Sequence, residues 1–365
     1  MKKDTIAFIG LGLIGGSIAK NIKKRYPDTK IYALASREST LKEAYRAGVI
    51  ENDTVLDLKA YATCDIIFLC APVGINISYL EKLKPMLSKD CLLTDVGSVK
   101  CDIQEAIIRL GLESQFIGGH PMAGSETIGF QNASTQLLEN AYYILTCSDA
   151  IDPRIYQEFH HYIETLGAIP IKMSPEEHDY ATATISHLPH VISASLVNLV
   201  CKRDDDREIL KTIAAGGFRD ITRISSSSPV MWQHICTANS DKILTLIDAY
   251  KEQLLEFRQI IADGNPKEIE KCFSNAKEYR DSLPIKKKGV LPDVFEFYLD
   301  LDDKVGGIAT IAASLAEQKL SIKNIGIIHN REFQDGVLHI EMYDLESMEK
   351  AIEILSKTYR IHRKK

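Results

Sequence analysis

The first half of the chain alternates short apolar runs with amphipathic segments, which is the pattern of a parallel sheet covered by helices on both faces. The apolar runs predict strands at residues 5–9, 30–35, 65–70, 91–95, 116–119 and 142–146. Helical periodicity fills the gaps, notably at residues 17–24, 40–47, 99–110 and 153–166. We therefore expect a doubly wound α/β domain over residues 1–170, with ligands at the carboxyl ends of its strands.

After Pro175 the strand signal almost disappears and helical periodicity takes over, at residues 176–202, 207–215, 229–239 and 241–263. The segment 191–200 is apolar on more than one face, so we expect it to be buried against other helices. This half predicts an all-α domain over residues 171–284 that serves substrate binding and dimerisation.

A linker at residues 282–292, with the basic run 286–288 between two prolines, introduces a third unit at residues 293–365. Its pattern predicts the order β-α-β-β-α-β, which is typical of ferredoxin-like α+β folds. The order resembles an ACT regulatory domain, a family that presents loop backbone to an amino-acid effector. The resemblance implies effector contacts at Asp303, Val305, Gly306 and Asn324.

The first strand runs directly into Gly10-Leu-Gly12-Leu-Ile-Gly15, which in turn opens a helix. In a G-x-G-x-x-G loop, the first glycine permits the tight turn and the second lets backbone approach a pyrophosphate. The third glycine lets the helix pack closely on the strand, and the phosphates lie on unpaired amides at the positive helix N-terminus. The context predicts a Rossmann dinucleotide site at Gly10, Gly12, Leu13, Ile14 and Gly15, with Pro72 after the third strand.

Composition narrows the class of protein. The net charge is −6 without a long block of like charge, so no nucleic-acid partner is expected. Eight cysteines without a C-x-x-C pair predict reduced, packed thiols, with Cys64, Cys70 and Cys91 in or beside strands. Lys2 and Lys3 before an apolar run resemble a signal peptide, but glycines interrupt the run and no small-residue cleavage site follows. No window reaches the ~20 apolar residues of a membrane span, so we expect a cytoplasmic protein without a membrane partner.

Chemistry-bearing side chains follow two strands of the predicted sheet. Ser98 comes after the fourth strand and His120 after the fifth, at the edge where substrate is expected. A histidine there suits a group that accepts and returns a proton near neutral pH, against the alternative of a structural histidine.

In the helical half, His187 and His190 are spaced three apart on one helix face. This spacing could ligate a metal, but no companion cluster of carboxylates or thiolates stands out, and we expect no metal site. One of the two is expected to contact substrate. Farther on, Arg219, Asp220 and Arg223 follow a glycine turn, and arginine suits carboxylate recognition, although a solvated charge run is the alternative. Trp232 could wall the same pocket.

At these clusters the sequence resembles the prephenate dehydrogenase family, which includes arogenate dehydrogenases. The motifs are GLGLIGGS, DVGSVK, GGHPMAGSE, SHLPH and GGFRDITRI followed by MW, and together they span most of the chain. The resemblance implies NAD(P)-dependent oxidative decarboxylation of prephenate to 4-hydroxyphenylpyruvate in tyrosine biosynthesis, by a homodimer inhibited by tyrosine.

The resemblance also implies roles for individual residues. His120 accepts the hydroxyl proton and Ser98 bonds both the histidine and the hydroxyl. Arg223 binds a substrate carboxylate and His190 contacts the pyruvyl side chain. The remaining members, Glu126 and Asp220 with Trp232, organise Arg223 through an ionic network.

One position departs from the NAD-type pattern. An acidic residue normally ends the second strand and binds the adenosine ribose, whereas here Ala35 is followed by Ser36 and Arg37. Serine and arginine could bind a 2′-phosphate, so the choice between NAD and NADP stays open.

Two rival functions also remain. A β-hydroxyacid dehydrogenase shares the Rossmann-plus-helices plan but needs a catalytic lysine that nothing singles out. A non-enzymatic nucleotide sensor would not need His120, Ser98 and Arg223 together.

Overall fold

The computed structural model describes residues 3–124, 127–283, 295–301, 306–328 and 336–362. The chain forms two compact units, Met1–Leu283 and Pro284–Lys365. Glu126, Asp303 and Val305, three of the predicted site residues, lie outside the described residues.

The first unit is built on a seven-stranded sheet with the order β2-β1-β3-β4-β5-β6-β7. The strands are β1 (Thr5–Ile9), β2 (Lys30–Leu34), β3 (Ile66–Leu69), β4 (Leu92–Asp95), β5 (Phe116–Pro121), β6 (Tyr142–Thr146) and β7 (Ile169–Lys172). All pairs from β2 to β5 are parallel, β6 runs antiparallel to β5, and β7 is parallel to β6. Because β1 pairs with β2 on one side and β3 on the other, the topological switch point lies beyond Ile9.

Strand β7 is the one element of this sheet that the hydrophobic pattern did not predict. It is four residues long, lies at the sheet edge and contains Pro170, a residue that edge strands tolerate. None of its residues is fully buried, so it lacks the apolar run that marks the other strands.

Helices cover both faces of the sheet: α1 (Leu13–Arg25), α2 (Glu38–Arg46), α3 (Leu58–Ala62), α4 (Val73–Leu83), α5 (Cys101–Leu110) and α6 (Pro153–Thr165). One apolar core includes Phe8, Ile18 and Phe159, and the core on the other face includes Ile9 and Ile107. Helix α1 begins at Leu13, four residues before the predicted start at Ser17. Gly15 and Gly16, which the motif places in the loop, are helical and buried. A Cβ atom at either position would lie within 3 Å of neighbouring atoms, so these turns of α1 pack closely only with glycine.

The helical half of this unit begins with what the sequence predicts as one helix and the structure divides into three parts. These are α7 (Pro175–Thr182), a π-helical turn (Ala183–His187) and α8 (Leu188–Arg203). Ser174 and Glu177 form a reciprocal capping box that fixes the start of α7. The helices that follow are α9 (Ile209–Ile213), α10 (Gly216–Thr222), α11 (Pro229–Ala238), α12 (Ser240–Asp263) and α13 (Pro266–Ser282). The pattern did not single out α13, which is mostly polar.

The predicted burial of residues 191–200 is wrong for a single chain. Only Ser193 of α8 is fully buried, and Leu199 is 53% exposed. The exposed apolar side chains of α12 include Leu244, Leu254 and Leu255. The apolar faces of these helices are therefore not covered by the described part of the chain.

The expectation that no segment is long and apolar enough to span a membrane is wrong for this region. The continuous segment Pro175–Arg203 is long and apolar enough to cross a membrane by length and composition. However, it contains the fully buried polar side chains His178, Asp179 and His187, each hydrogen-bonded within the first unit.

The second unit has a four-stranded sheet with the order β11-β8-β10-β9. Its elements are β8 (Phe295–Leu301), α14 (Gly307–Glu317), β9 (Ile322–Ile328), β10 (Gly336–Met342), α15 (Leu345–Leu355) and β11 (Ile361–His362). This is the predicted β-α-β-β-α-β order, with antiparallel pairs throughout. A separate apolar core that includes Phe297, Ile311 and Leu338 holds its helices on the sheet.

Candidate active site

The glycine turn lies at the switch point between β1 and β3. Gly10 adopts φ +101° and donates its N–H to Leu34 O at 2.8 Å. A Cβ atom at Gly15 would lie 2.6 Å from Gly10 O and 3.0 Å from Cys70 Cβ, so only glycine lets α1 pack this closely. A Cβ atom at Gly12 would meet nothing within 4 Å. Steric constraints within the chain therefore explain Gly10 and Gly15, whereas the space beside Gly12 is open.

The surroundings of the turn fit a dinucleotide. Helix α1 has no side-chain cap and no acidic residue in its first turn, so the amides of Leu13 and Ile14 are available to an anion. Pro72 is the N-cap residue of α4 beyond β3. Ser36 and Arg37 are exposed just beyond β2, at the position expected for the adenosine ribose.

His120 lies near the carboxyl end of β5 and is half-buried. Its Nδ1 atom is hydrogen-bonded to Nε2 of His178 at 2.7 Å, and the two rings meet edge to face with centroids 5.0 Å apart. This contact joins the sheet to the first helix of the helical half. Among the residues that the structure describes, the remaining ring nitrogen of His120, Nε2, has no hydrogen-bond partner, so it can meet a substrate.

Asp179 continues the chain of hydrogen bonds behind His178. Its Oδ1 atom accepts from His178 Nδ1 at 2.7 Å and from the backbone amide of Lys100 at 2.7 Å. Its Oδ2 atom accepts from the amide of Cys101 at 2.8 Å, so the carboxylate lies on the N-terminus of α5. Burial opposes the charge, but the bonds from His178, Cys101 and Lys100 hold the pKa of Asp179 at about 2.

A buried salt bridge lies beneath His120. Lys100 Nζ donates to Asp95 Oδ2 and, at 2.7 Å, to Gly119 O, and both side chains are fully buried. The other oxygen of Asp95 accepts from the amide of Gly119 at 3.1 Å. The pair therefore joins the ends of β4 and β5 one residue before His120.

The pKa of His120 is well below its usual value. Burial is the main cause, and the potential positive charges of His178, Lys100 and His187 add to it, opposed by Asp179. Burial also lowers the pKa of His178 and brings that of His187 to about 4. All three imidazoles are therefore neutral at neutral pH, and a neutral imidazole is the form that accepts a proton.

The helical half contributes aromatic side chains to the other side of the candidate site. His190 donates from Nδ1 to Ser186 O at 2.9 Å, and its Nε2 atom has no hydrogen-bond partner in the described part of the chain. Trp232 of α11 stacks on His190 at 4.0 Å between centroids and meets His187 edge to face at 6.0 Å. Among the described residues, the buried indole Nε1 has no hydrogen-bond partner. His187 is held from behind by Asn239, which bonds its Nδ1 at 3.2 Å.

Other predicted site residues are placed less closely. Arg223 is exposed and begins the short 3-10 turn that follows α10. A 2.6 Å hydrogen bond between Ser225 Oγ of this turn and Ser193 Oγ attaches the turn to α8. Asp220 is exposed, and within the described part of the chain no salt bridge joins it to Arg223. Ser98 is half-buried and follows β4. Within the described part of the chain it is not hydrogen-bonded to His120, because Nδ1 of His120 is bonded to His178. The roles of these three residues remain predictions.

The motifs alone did not reveal three participants: His178, Asp179 and Lys100. A signal for the first two exists, since they lie beside the capping box at the start of the helical segment 175–203, which also contains His187 and His190. Lys100 belongs to the DVGSVK motif, but only packing shows that its side chain turns inward beneath the strand ends.

Together, an open glycine turn at the switch point and a neutral histidine at the same carboxyl edge of the sheet define a dinucleotide-dependent dehydrogenase. Comparisons with known proteins specify the class further. Residues 18–172 match the family description "Prephenate dehydrogenase, nucleotide-binding domain", and residues 174–275 match "Prephenate dehydrogenase, dimerization domain". The chain belongs to the prephenate dehydrogenase family.

Individual relatives agree with this assignment. The chain is 38% identical to prephenate dehydrogenase of Bacillus subtilis over 96% of this chain and 95% of the relative. The crystal structure of Aquifex aeolicus prephenate dehydrogenase with hydroxyphenyl propionate and NAD+ has a TM-score of 0.73 and 28% identity, covering 78% of this chain and 99% of that one. Synechocystis arogenate dehydrogenase has a TM-score of 0.67 and 33% identity, covering 76% and 99%.

The glycine turn generates a paired prediction. Gly12→Ala should leave the melting temperature unchanged, because the added methyl meets open space, yet weaken dinucleotide binding roughly tenfold or more, about 1.4 kcal/mol. Gly15→Ala should instead destabilise the fold by about 1–3 kcal/mol through overpacking. Thermal unfolding and cofactor titration of both variants measure the two effects. Equal loss of stability in both would contradict the assignment of Gly12 to the ligand.

The lowered pKa of His120 generates a prediction about pH. Activity requires the neutral base, so kcat/KM should stay on its plateau through pH 6.5 and fall only at lower pH, as the lowered pKa is crossed. A pH profile of kcat/KM measures this. Unfolding must be followed at each pH as a control, because burying neutral histidines makes stability fall below about pH 6.5. An acidic limb at or above pH 6.5 in folded enzyme would exclude His120 as this base.

Proposed function

We propose that the protein catalyses the NAD(P)-dependent oxidative decarboxylation of prephenate to 4-hydroxyphenylpyruvate and carbon dioxide in tyrosine biosynthesis. The observation that carries the proposal is the position of His120 near the carboxyl end of β5, at the same edge of the sheet as the glycine turn that follows β1. Among the described residues, its Nε2 atom has no hydrogen-bond partner. Prephenate has a ring hydroxyl that must lose a proton as its carbon loses hydride. The family membership and the relatives named above supply the substrate class.

His120 accepts the hydroxyl proton at Nε2, and a nicotinamide dinucleotide held at the glycine turn would supply the hydride acceptor. Loss of carbon dioxide then makes the ring aromatic. The neutral state of the imidazole, maintained by burial, suits this step. Ser98, at the end of the neighbouring strand, orients the hydroxyl.

The helical half recognises the rest of the substrate. Arg223 binds a carboxylate, a role that suits the planar guanidinium, with Glu126 and Asp220 setting its orientation. His190 contacts the pyruvyl side chain through its free Nε2 atom. Trp232 fixes the ring plane of His190 by stacking, which supports its place in the pocket wall.

Two alternatives concern specificity rather than reaction class. Arogenate differs from prephenate in the side chain that His190 would contact, and the Synechocystis relative is an arogenate dehydrogenase. The cofactor is NAD or NADP, because Ala35 brings no carboxylate to the ribose position and the exposed Ser36 and Arg37 could bind a 2′-phosphate.

We further propose a cytoplasmic homodimer. The exposed apolar side chains of α8 and α12 support dimer formation, since they lie in the region that matches the family's dimerization domain. A second copy would cover the faces that one chain leaves open.

The second unit is proposed to be an ACT domain that binds tyrosine, the pathway product. Gly306, at φ +87°, is the N-cap residue of α14, and Leu301 is the last residue of β8. Asn324 pairs with Glu341, which pairs with Glu296, whereas Leu301 pairs with Gly336. Five residues of strand, about 17 Å, therefore separate Asn324 from the level of Leu301. Within one chain, Asn324 is therefore distant from the end of β8 that leads to Gly306.

One assay tests the proposed reaction. Wild type and His120→Asn are supplied with prephenate or arogenate and with NAD+ or NADP+, and nicotinamide reduction is followed. Wild type should reduce at least one cofactor with prephenate, and His120→Asn should lower kcat roughly 10²–10⁴-fold with little change in cofactor affinity, since only the base is lost. No turnover with prephenate, or near wild-type kcat in a folded variant, would refute the proposal.

A truncation tests the effector site. Tyrosine should inhibit the full chain, and the inhibition should disappear in an active, folded variant lacking residues 290–365. If the effector acts through a second conformation, prephenate must weaken tyrosine binding by the same factor that tyrosine weakens prephenate binding. Inhibition that survives truncation unchanged would instead place tyrosine in the catalytic pocket.

A further inference from the structure

A line of hydrogen bonds runs from the N-terminus of α5 to the free edge of His120. The backbone amides of Lys100 and Cys101 bind Asp179 at 2.7 and 2.8 Å, Asp179 binds His178 at 2.7 Å, and His178 binds His120 at 2.7 Å. His178 and Asp179 are both completely buried. Every link is therefore short and shielded from water.

The direction of each hydrogen bond in this line follows from its first members, the backbone amides of Lys100 and Cys101, which can only donate. Backbone amides cannot accept, so Asp179 is present as an acceptor, the carboxylate. The carboxylate in turn requires a proton on Nδ1 of His178. A neutral His178 then has only a lone pair at Nε2, and that lone pair must accept from His120.

We propose that His178 and Asp179 are positioning residues that hold His120 in the tautomer with its proton on Nδ1, which leaves the Nε2 lone pair for the substrate hydroxyl. The inference rests on the proposed role of His120 as the base. In the opposite tautomer, Nε2 of His120 would carry a proton and could not accept another. These hydrogen bonds thus select the reactive tautomer of His120 before substrate binds.

The same line stabilises the product of proton transfer. When the hydroxyl O–H bond breaks and an N–H bond forms at Nε2, His120 becomes a cation that still donates from Nδ1 to His178. The negative charge of Asp179 lies beyond His178, so it compensates the new charge without receiving a proton. The cation later returns its proton to solvent, which restores the starting state.

The first experiment reads the tautomer directly. Nitrogen NMR of the wild-type protein with labelled histidine distinguishes a proton on Nδ1 from one on Nε2, and His120→Asn identifies the signal among the ten histidines. The expected result is neutral His120 protonated on Nδ1 in ligand-free enzyme. A neutral His120 protonated on Nε2 would overturn the proposal. This measurement needs no substrate, so it gives its answer even if the proposed reaction fails.

The second experiment tests the effect on catalysis. His178→Leu removes the acceptor and should lower kcat roughly 10²–10⁴-fold, the range for a lost base or an unproductive tautomer, with KM and cofactor affinity little changed. His178→Gln offers an amide oxygen near the position of Nε2 and should keep kcat within about tenfold of wild type.

Thr182→Val is the matched control, because this buried hydroxyl bonds the backbone carbonyls of His178 and Asp179 on the same helix and, among the described residues, makes no hydrogen bond to His120. It should retain wild-type kcat even if its melting temperature falls. Equal losses in the Leu and Gln variants, or near wild-type kcat in the Leu variant, would overturn the positioning role. If the Leu variant fails to fold, the NMR measurement decides.

Discussion

The active site depends on the buried salt bridge between Lys100 and Asp95. Both charges are out of contact with water, and Gly119 supplies a carbonyl to the ammonium and an amide to the carboxylate. Removing one partner of such a pair leaves an uncompensated buried charge and costs about 3–5 kcal/mol in comparable cases. Because the bridge joins the ends of two neighbouring strands, it fixes the backbone from which the His120 side chain projects.

This arrangement links electrostatics to position. The ammonium that holds β5 in place also disfavours a second positive charge nearby, and it contributes to the lowered pKa of His120. On the helical side, the amides that bind Asp179 belong to Lys100 and Cys101. Lys100 and Cys101 therefore support the His120 imidazole in two ways: the Lys100 side chain fixes the strand ends, and the two backbone amides bind Asp179, which bonds His178.

The sequence predicts the parts of the site that depend on local order along the chain. A strand followed by glycines, and a histidine after a strand, could be located because parallel strands end at one edge, and the Rossmann and helical halves are confirmed. The partner of His120 could not be found this way, since His178 approaches only when α7 packs across the sheet, 58 residues later. The exposed apolar face of α8 was mispredicted for a related reason: hydrophobicity indicates that a face will be covered, but not by which chain.

The π-helical turn at Ala183–His187 has a consequence for how the histidines are phased. A π turn accommodates one residue more than an α turn, and each residue of an α-helix advances the side-chain direction by about 100°. His178 precedes the turn and His190 follows it, so their relative azimuth includes this extra residue. A regular α-helix of the same sequence would rotate α8 relative to α7 and move His190 out of its stack with Trp232. The π turn therefore adds a fixed rotation between α7 and α8. This rotation lets His178 point toward the sheet while His190, on the same helical segment, stacks on Trp232.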